Sequence, residues 1–171
     1  MKSQIETEHK YIIKMPSLEA LSEMVGYYSD DIVQIYIPSE IGATHRIRSR
    51  RGRGRVIYTE TEKIRIDKMS SVENEREIGE SEFIALSKTM LEGTRPVVKT
   101  RHTFEYRAQI FEVDVYPEWD KFAIMEAEVQ DARVTFDIPD AIEVVREVTG
   151  DGRYSNASIA RFGLPTLGIN E

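Results

Sequence analysis

The sequence has no cysteine. That excludes disulfides, thiolate metal sites and a cysteine nucleophile. It has no long apolar run, so no membrane-spanning helix or signal peptide is expected. It also has no P-loop, no G-x-S-x-G nucleophile elbow and no H-E-x-x-H metal motif. Internal repeats, linkers and low-complexity stretches are absent as well. Basic residues are in deficit, with 23 Lys and Arg against 30 Asp and Glu, a formal net charge of −7. That balance argues against general nucleic-acid binding, and no nucleic-acid partner is expected. What remains is a soluble chain, expected in the cytoplasm without membrane association. Its 171 residues suffice for one domain, expected to span 1–171.

The charges that are present alternate with apolar or small residues. Residues 4–14 have the composition of a β-strand, and a strand has a period of two. Glu6, Glu8 and Lys10 therefore share one face, and Ile5, Thr7, His9 and Tyr11 the other. Taken alone, the charged face reads as solvated. Val33 to Ile37 reads as a second strand closed by Pro38, with Gln34 and Tyr36 on one face; an edge strand is one reading. Arg46, Arg48 and Arg50 then line a strand face, followed by a basic, glycine-containing turn over residues 51–55. The local sequence allows a solvated basic hairpin, a nucleic-acid patch or a phosphate-binding wall. No aromatic residues interleave with the arginines, which disfavours the nucleic-acid reading.

The pattern continues. Thr61, Lys63 and Arg65 share a parity in the next strand, residues 56–67. Ser70 and Ser71 read as a loop, after which Glu73, Glu75 and Glu77 occupy one face. From 95 to 130 three antiparallel strands are expected. Lys99 and Arg101 face together in the first, Glu112 and Asp114 in the second, Glu126 and Glu128 in the third. His9, His45 and His102 sit on the opposite parity and read as outer or packing residues. Helices are expected after Ser17, ending at Gly26; over 81–91 with Ser81 as cap; and over 139–148. Residues 147–160 read as a loop and a short helix capped by Ser155 or Asn156, and the tail after Phe162 as irregular.

Strands of this kind give either an antiparallel sheet with one wet face or a barrel with the charges inside. Burying so many charges costs heavily unless they pair or bind ions. A wet tunnel holding an anionic, metal-bound ligand answers that cost.

The motifs occur in a distinctive order. They are E-x-E-x-K (Glu6, Glu8, Lys10), R-x-R (Arg46, Arg48), T-x-K (Thr61, Lys63), E-x-E-x-E (Glu73, Glu75, Glu77) and K-x-R (Lys99, Arg101). Asp114, the pair Glu126 and Glu128, and a V-T-x-D-x-R-Y-x-N segment over 148–156 follow. Along nearly its whole length the chain resembles the CYTH superfamily, the triphosphate tunnel metalloenzymes. One departure is Ser71, where the family usually has an arginine.

The resemblance implies an α+β fold: a closed, eight-stranded, mostly antiparallel β-barrel with peripheral helices. It implies that Lys10, Arg46, Arg48, Lys63, Lys99, Arg101 and Arg153 bind the substrate phosphates. Glu6, Glu8, Glu73, Glu75, Glu77, Asp114, Glu126 and Glu128 would supply ligands for Mg²⁺ or Mn²⁺. Glu6, Glu8 and Lys10 are the implied catalytic set. One metal would bridge the phosphates and a second would position or activate the attacking water. The implied activity is metal-dependent triphosphate hydrolysis, inorganic triphosphate being the favoured substrate. A class IV adenylyl cyclase, a thiamine triphosphatase and a non-catalytic polyphosphate- or nucleotide-binding module are the alternatives. A homodimer is implied by the family alone.

Overall fold

The structure is a computed structural model describing residues 2–168. The last three residues of the irregular tail lie outside the described residues. Eight long strands carry the fold. β1 (Lys2–Lys14) leads through the short helix α1 (Leu18–Ser22) to β2 (Val25–Ile37), then β3 (Ala43–Gly52), β4 (Arg55–Arg65) and β5 (Ser70–Ile78). Helix α2 (Glu80–Ser87) precedes β6 (Val97–Tyr106), β7 (Gln109–Val115) and β8 (Phe122–Val129). A short β9 (Val144–Glu147), a 3₁₀ turn (Gly152–Tyr154) and α3 (Asn156–Phe162) follow.

The sheet order is β5-β4-β3-β2-β6-β7-β8-β1, and β1 also pairs with β5, so eight strands close into an antiparallel barrel. Closure removes the unpaired edges that an open sheet would expose. β1 makes it possible by its length. Its first half pairs with β5 as far as Thr7↔Ser70, while Thr7 to Lys14 pair with β8 on the other side.

Alternation sorts the side chains. On the outer face, Ile13, Phe104, Phe111, Val113 and Met125 are buried beneath Ile142 and the partly buried Phe136 and Ile138. Each such side chain contributes about 1.5–3 kcal/mol by leaving water. A second outer cluster, Ile35, Ile37, Ile47 and Ile78, lies under Phe83 and Leu86 of α2. A third cluster lies inside one end of the barrel, where Ile12, Tyr36, Val97, Tyr116 and Ile124 meet Tyr154 and Ile159. The remaining interior is charged.

Several sequence expectations need correction. Residues 139–148 are not helical: Val144–Glu147 forms β9, pairing with β1 at Tyr11↔Glu147 and Ile12↔Arg146. The spacing of Ala141, Ile142, Val145 and Val148 suits a helix, but the β1 edge left free beyond β5 recruits this β-branched segment as a strand. Helix α2 begins at Glu80 and stops at Ser87, with Gly79 as its N-cap and no side-chain cap bond, so Ser81 is not the cap. None of its residues is fully buried, so packing does not extend it to Leu91. Gly26 lies inside β2 at a register shift, with φ 65°. β2 is no edge strand, being flanked by β3 and β6. Ser70 and Ser71 belong to β5. The cap at Ser17 is as expected, its Oγ accepting from Ala20 N at 3.2 Å. No helix among the described residues is long and apolar enough to cross a membrane.

Candidate functional site: a charged tunnel through the barrel

The inward faces enclose a cavity of about 760 Å³. Strand β1 contributes Glu6, Glu8 and Lys10 to its wall, β3 contributes Arg46, Arg48 and Arg50, and β5 contributes Glu73, Glu75 and Glu77. Lys63, Lys99, Arg101, Glu126 and Glu128 of the expected set also line it. Period-two alternation brings these residues inside, and antiparallel register then sets opposite charges side by side. Lys10 faces Glu126, Lys63 faces Glu73 and Arg101 faces Asp114 across neighbouring strands.

The ion pairs follow that register. Lys10 Nζ lies 2.9 Å from Glu126 and 3.4 Å from Glu8. Burial disfavours its charge, but Glu126 and Glu8 outweigh that and hold Lys10 above the ordinary lysine range. Lys63 Nζ bridges Glu6 and Glu73, each at 2.8 Å. Burial pushes the Glu73 carboxyl up, yet Arg46 and Lys63 prevail and bring it down to about 2. Arg48 donates to Glu75 at 3.2 Å, and Thr61 Oγ1 donates to the same oxygen at 2.8 Å. Burial and the neighbouring Arg46 lower Arg48 to about 10, against the pull of Glu75. The Nε atoms of Arg46 and Arg48 are buried without a hydrogen-bond partner among the described residues. Buried donors without acceptors in a wall of guanidinium groups suit an anion.

Two expected site residues are placed elsewhere. Asp114 is 1% exposed and does not line the cavity. It accepts from Lys99 Nζ at 2.5 Å and from Arg101 Nε at 2.6 Å, behind both cations. Arg101 also pairs with Glu126 at 2.9 Å and with Glu112. Both oxygens of Asp114 are thus taken by Lys99 and Arg101, and it anchors the two cations in this arrangement. Arg153 does not line the tunnel cavity. Its exposed guanidinium pairs with Asp151 at 2.6 Å and lies over the Tyr154 ring. The histidines are packing residues, as expected: His9 meets Glu147 and Phe136, His45 meets Glu60, and His102 meets Tyr27.

The structure adds residues that the expected site set left out. Asp30, 3% exposed, accepts from Arg50 Nη2 at 2.7 Å and fixes the third arginine of the row. Its parity with Gln34 and Tyr36 was the available signal. Asn156 accepts from Lys99 at 3.2 Å. Thr149 repairs the wall where β5 leaves β1 and β9 has not yet joined it, its Oγ1 accepting from Lys10 N at 3.0 Å.

The acidic side of the tunnel is short of positive charge. Burial raises Glu6 to about 7, Lys63 opposing and Glu73 and Glu8 adding to the rise. Burial and Glu126 raise Glu8, against Lys10. Burial and Glu112 raise Glu128, which stands directly opposite Glu8 on the adjacent strand. Like charges placed opposite one another are unfavourable unless a cation joins them. Among the described residues no three acidic or imidazole groups converge as a ready-made cage. Mg²⁺ does not need one, since it binds through one or two carboxylates and completes its shell with water and phosphate oxygens. Glu6, Glu8 and Glu128 thus fit a hard divalent cation that arrives with an anionic ligand.

The chain is 30% identical over 158 residues to the inorganic triphosphatase of Acetivibrio thermocellus, covering 91% of this chain and 93% of that one. The chain belongs to the triphosphate tunnel metalloenzyme (CYTH) family. No protein-family model matches it. A solved inorganic triphosphatase superposes with a TM-score of 0.56 at 25% identity, over 91% of this chain and 93% of that one. A protein of undescribed function from Pyrococcus furiosus shares the fold, with a TM-score of 0.54 at 21% identity over 74% and 80% of the two chains. In this family member the tunnel wall is thus built from eight strands, with β9 and the 149–157 segment sealing the seam beside Lys10.

Proposed function

We propose that the protein hydrolyses inorganic triphosphate, releasing orthophosphate, with Mg²⁺ or Mn²⁺ as cofactor. One observation carries the reading: a single cavity holds both a row of cations with unpartnered donors and two half-buried carboxylates, Glu6 and Glu8, held in the protonated direction. The name of the Acetivibrio relative supports the substrate. Arg46, Arg48, Lys63, Lys99 and Arg101 bind and orient the phosphate oxygens. Lys10 neutralises the charge that builds on the transferred phosphoryl group. Glu6 and Glu8 hold the cation, with Glu128 beside them. The bound cation supplies charge neutralisation and a more acidic water. Glu6 and Glu8 also lie where they can orient that water by hydrogen bonding. Glu73, Glu75 and Glu126 are committed to Lys63, Arg48 and Lys10 respectively, and keep those cations in place.

The test is turnover of inorganic triphosphate and of ATP with either metal, following orthophosphate, pyrophosphate and cyclic AMP. Orthophosphate release from triphosphate is expected. Glu6→Gln and Arg48→Ala, both folded, should each lose about 10²–10³-fold in kcat/KM. Cyclic AMP with pyrophosphate from ATP would replace this reading with the cyclase. Tight triphosphate binding without turnover would replace it with a binding module.

A further inference from the structure

Lys10 stands where the barrel wall changes partners. Pairing of β1 with β5 ends at Thr7↔Ser70, and pairing with β9 begins at Tyr11↔Glu147. Between them, residues 8–10 have β8 on one side and, among the described residues, no strand on the other. Single bonds close that gap. Glu8 N donates to Met69 O at 3.2 Å, and Val148 N donates to Lys10 O at 2.8 Å. The Lys10 amide donates to a side chain, Thr149 Oγ1, at 3.0 Å. Residues 148 and 149 thus satisfy both main-chain polar groups of Lys10.

Thr149 is itself held. Its hydroxyl donates to Glu147 Oε1 at 2.7 Å, and His9 Nδ1 meets the same oxygen at 3.0 Å. A carboxylate only accepts, so the hydroxyl proton is committed to Glu147 and an oxygen lone pair is left for the Lys10 amide. The bonds from His9 and Thr149 hold the Glu147 carboxyl below the ordinary glutamate range. The His9 ring packs edge-on to Phe136 at 5.4 Å and stacks with Tyr11 at 6.3 Å. Gly150 shapes the turn after Thr149. Its φ is 75°, and a Cβ there would lie 2.9 Å from Lys68 Cβ and 3.0 Å from Lys68 O.

Neither Glu147 nor Thr149 lines the tunnel cavity, whereas Lys10 does. Anything these two residues do to a ligand therefore passes through Lys10. Glu126 at 2.9 Å and Glu8 at 3.4 Å guide the tip of the lysine, and Thr149 fixes its root.

We infer that Thr149, oriented by Glu147, is a positioning residue that sets where Lys10 presents its ammonium to the transferred phosphoryl group. The inference rests on the triphosphatase reading for the reaction. A group that stabilises developing charge works only at its proper distance and orientation, so a small shift of the strand is costly.

The test is a double-mutant cycle. Thr149→Val removes the acceptor and keeps the shape, Thr149→Ser keeps the acceptor, and Lys10→Met removes the ammonium. Turnover of inorganic triphosphate with Mg²⁺ is measured for each, and for Thr149→Val combined with Lys10→Met at raised enzyme concentration. Circular dichroism melts verify folding. Thr149→Val should lower kcat about tenfold with KM changed less than about twofold, and Thr149→Ser should stay within about twofold of wild type. Glu147→Ala, at an exposed position, should lower kcat about fivefold and carries the same test should Thr149→Val not fold. In the Lys10→Met background Thr149→Val should cost less than about twofold more, because no ammonium remains to be placed. The full loss in that background is what a merely structural role gives, and it would overturn the inference. So would a loss confined to KM, or a serine variant as slow as the valine one. Hydrogen exchange of the Lys10 amide, measured without substrate, should be about tenfold faster in Thr149→Val than in wild type or Thr149→Ser. A wild type that does not hydrolyse triphosphate would sink the hydrolase reading instead; equal exchange in all three proteins would then overturn the hold on Lys10 as well.

Discussion

Asp114→Asn separates an anchor from a metal ligand. The substitution keeps the shape and removes the charge of a carboxylate that is 1% exposed and bonded to Lys99 at 2.5 Å and Arg101 at 2.6 and 2.8 Å. Cations on both sides hold it below the usual aspartate range despite its burial. Breaking a buried pair costs about 3–5 kcal/mol, because the remaining charge is left unmatched. Arg101 retains Glu126 and Glu112, which places the expected loss near the lower end, about 3 kcal/mol. In a chain of this size that lowers Tm by about 6–12 °C. Denaturant unfolding gives the stability change directly. In turnover assays Asp114→Asn should raise KM for triphosphate, because Lys99 and Arg101 lose their fixed orientation. The metal concentration for half-maximal activity should stay within about twofold, whereas Glu8→Gln should raise it about tenfold or more. A stability loss under about 1 kcal/mol would refute the anchoring argument. A metal requirement shifted as far as in Glu8→Gln would return Asp114 to the ligand set.

Further outcomes follow from the same geometry. Burial brings Lys99 down to about 8, Asp114 opposing and Arg101 reinforcing the fall. An unfolded lysine holds its proton to about pH 10.4, so between about 8 and 10.4 the unfolded chain binds more protons, and this residue's share of stability rises with pH there. Over the same window the tunnel loses a positive charge, so KM for triphosphate should climb above about pH 8; a profile identical in wild type and Lys99→Met would refute the assignment. Gly52→Ala would drive a Cβ against Asp30 and the Ser29 carbonyl, and should cost about 1–3 kcal/mol in a denaturation midpoint. Removing divalent cations with a chelator should abolish turnover while calorimetry still registers triphosphate binding. Arg153→Ala should leave KM unchanged, since its guanidinium is engaged with Asp151 outside the tunnel.

Much of the site was legible because strand periodicity is local. Once residues 4–14 are a strand, Glu6, Glu8 and Lys10 must share a face, and the same holds for Arg46 with Arg48 and for Glu73, Glu75 and Glu77. The motif order then pointed to the family and the barrel. Period two does not say how deep a side chain sits or what it meets. Asp114 has the parity of a tunnel residue and still falls behind Lys99 and Arg101, because their register across β6 and β7 closes both cations onto it. Arg153 lies in a matching motif, but the 3₁₀ turn aims it at Asp151. Asp30 carried no motif, and only the approach of the β3–β4 hairpin made it a clamp for Arg50.

Helical spacing misled in residues 139–148 because apolar residues at such intervals suit a packed strand and its flanking turns as well. The open edge of β1 decided between them, and that edge exists only once β1 has paired with β5 over half its length and with β8 over the other half. The sequence by itself determined which residues share a strand face and the sign of the charge on each, since both are properties of neighbouring residues. Tertiary structure alone decided which faces turn inward, which charges neutralise one another and which stay available for a ligand. Those depend on register between strands distant in the chain, where a single barrel closure sets every pairing at once.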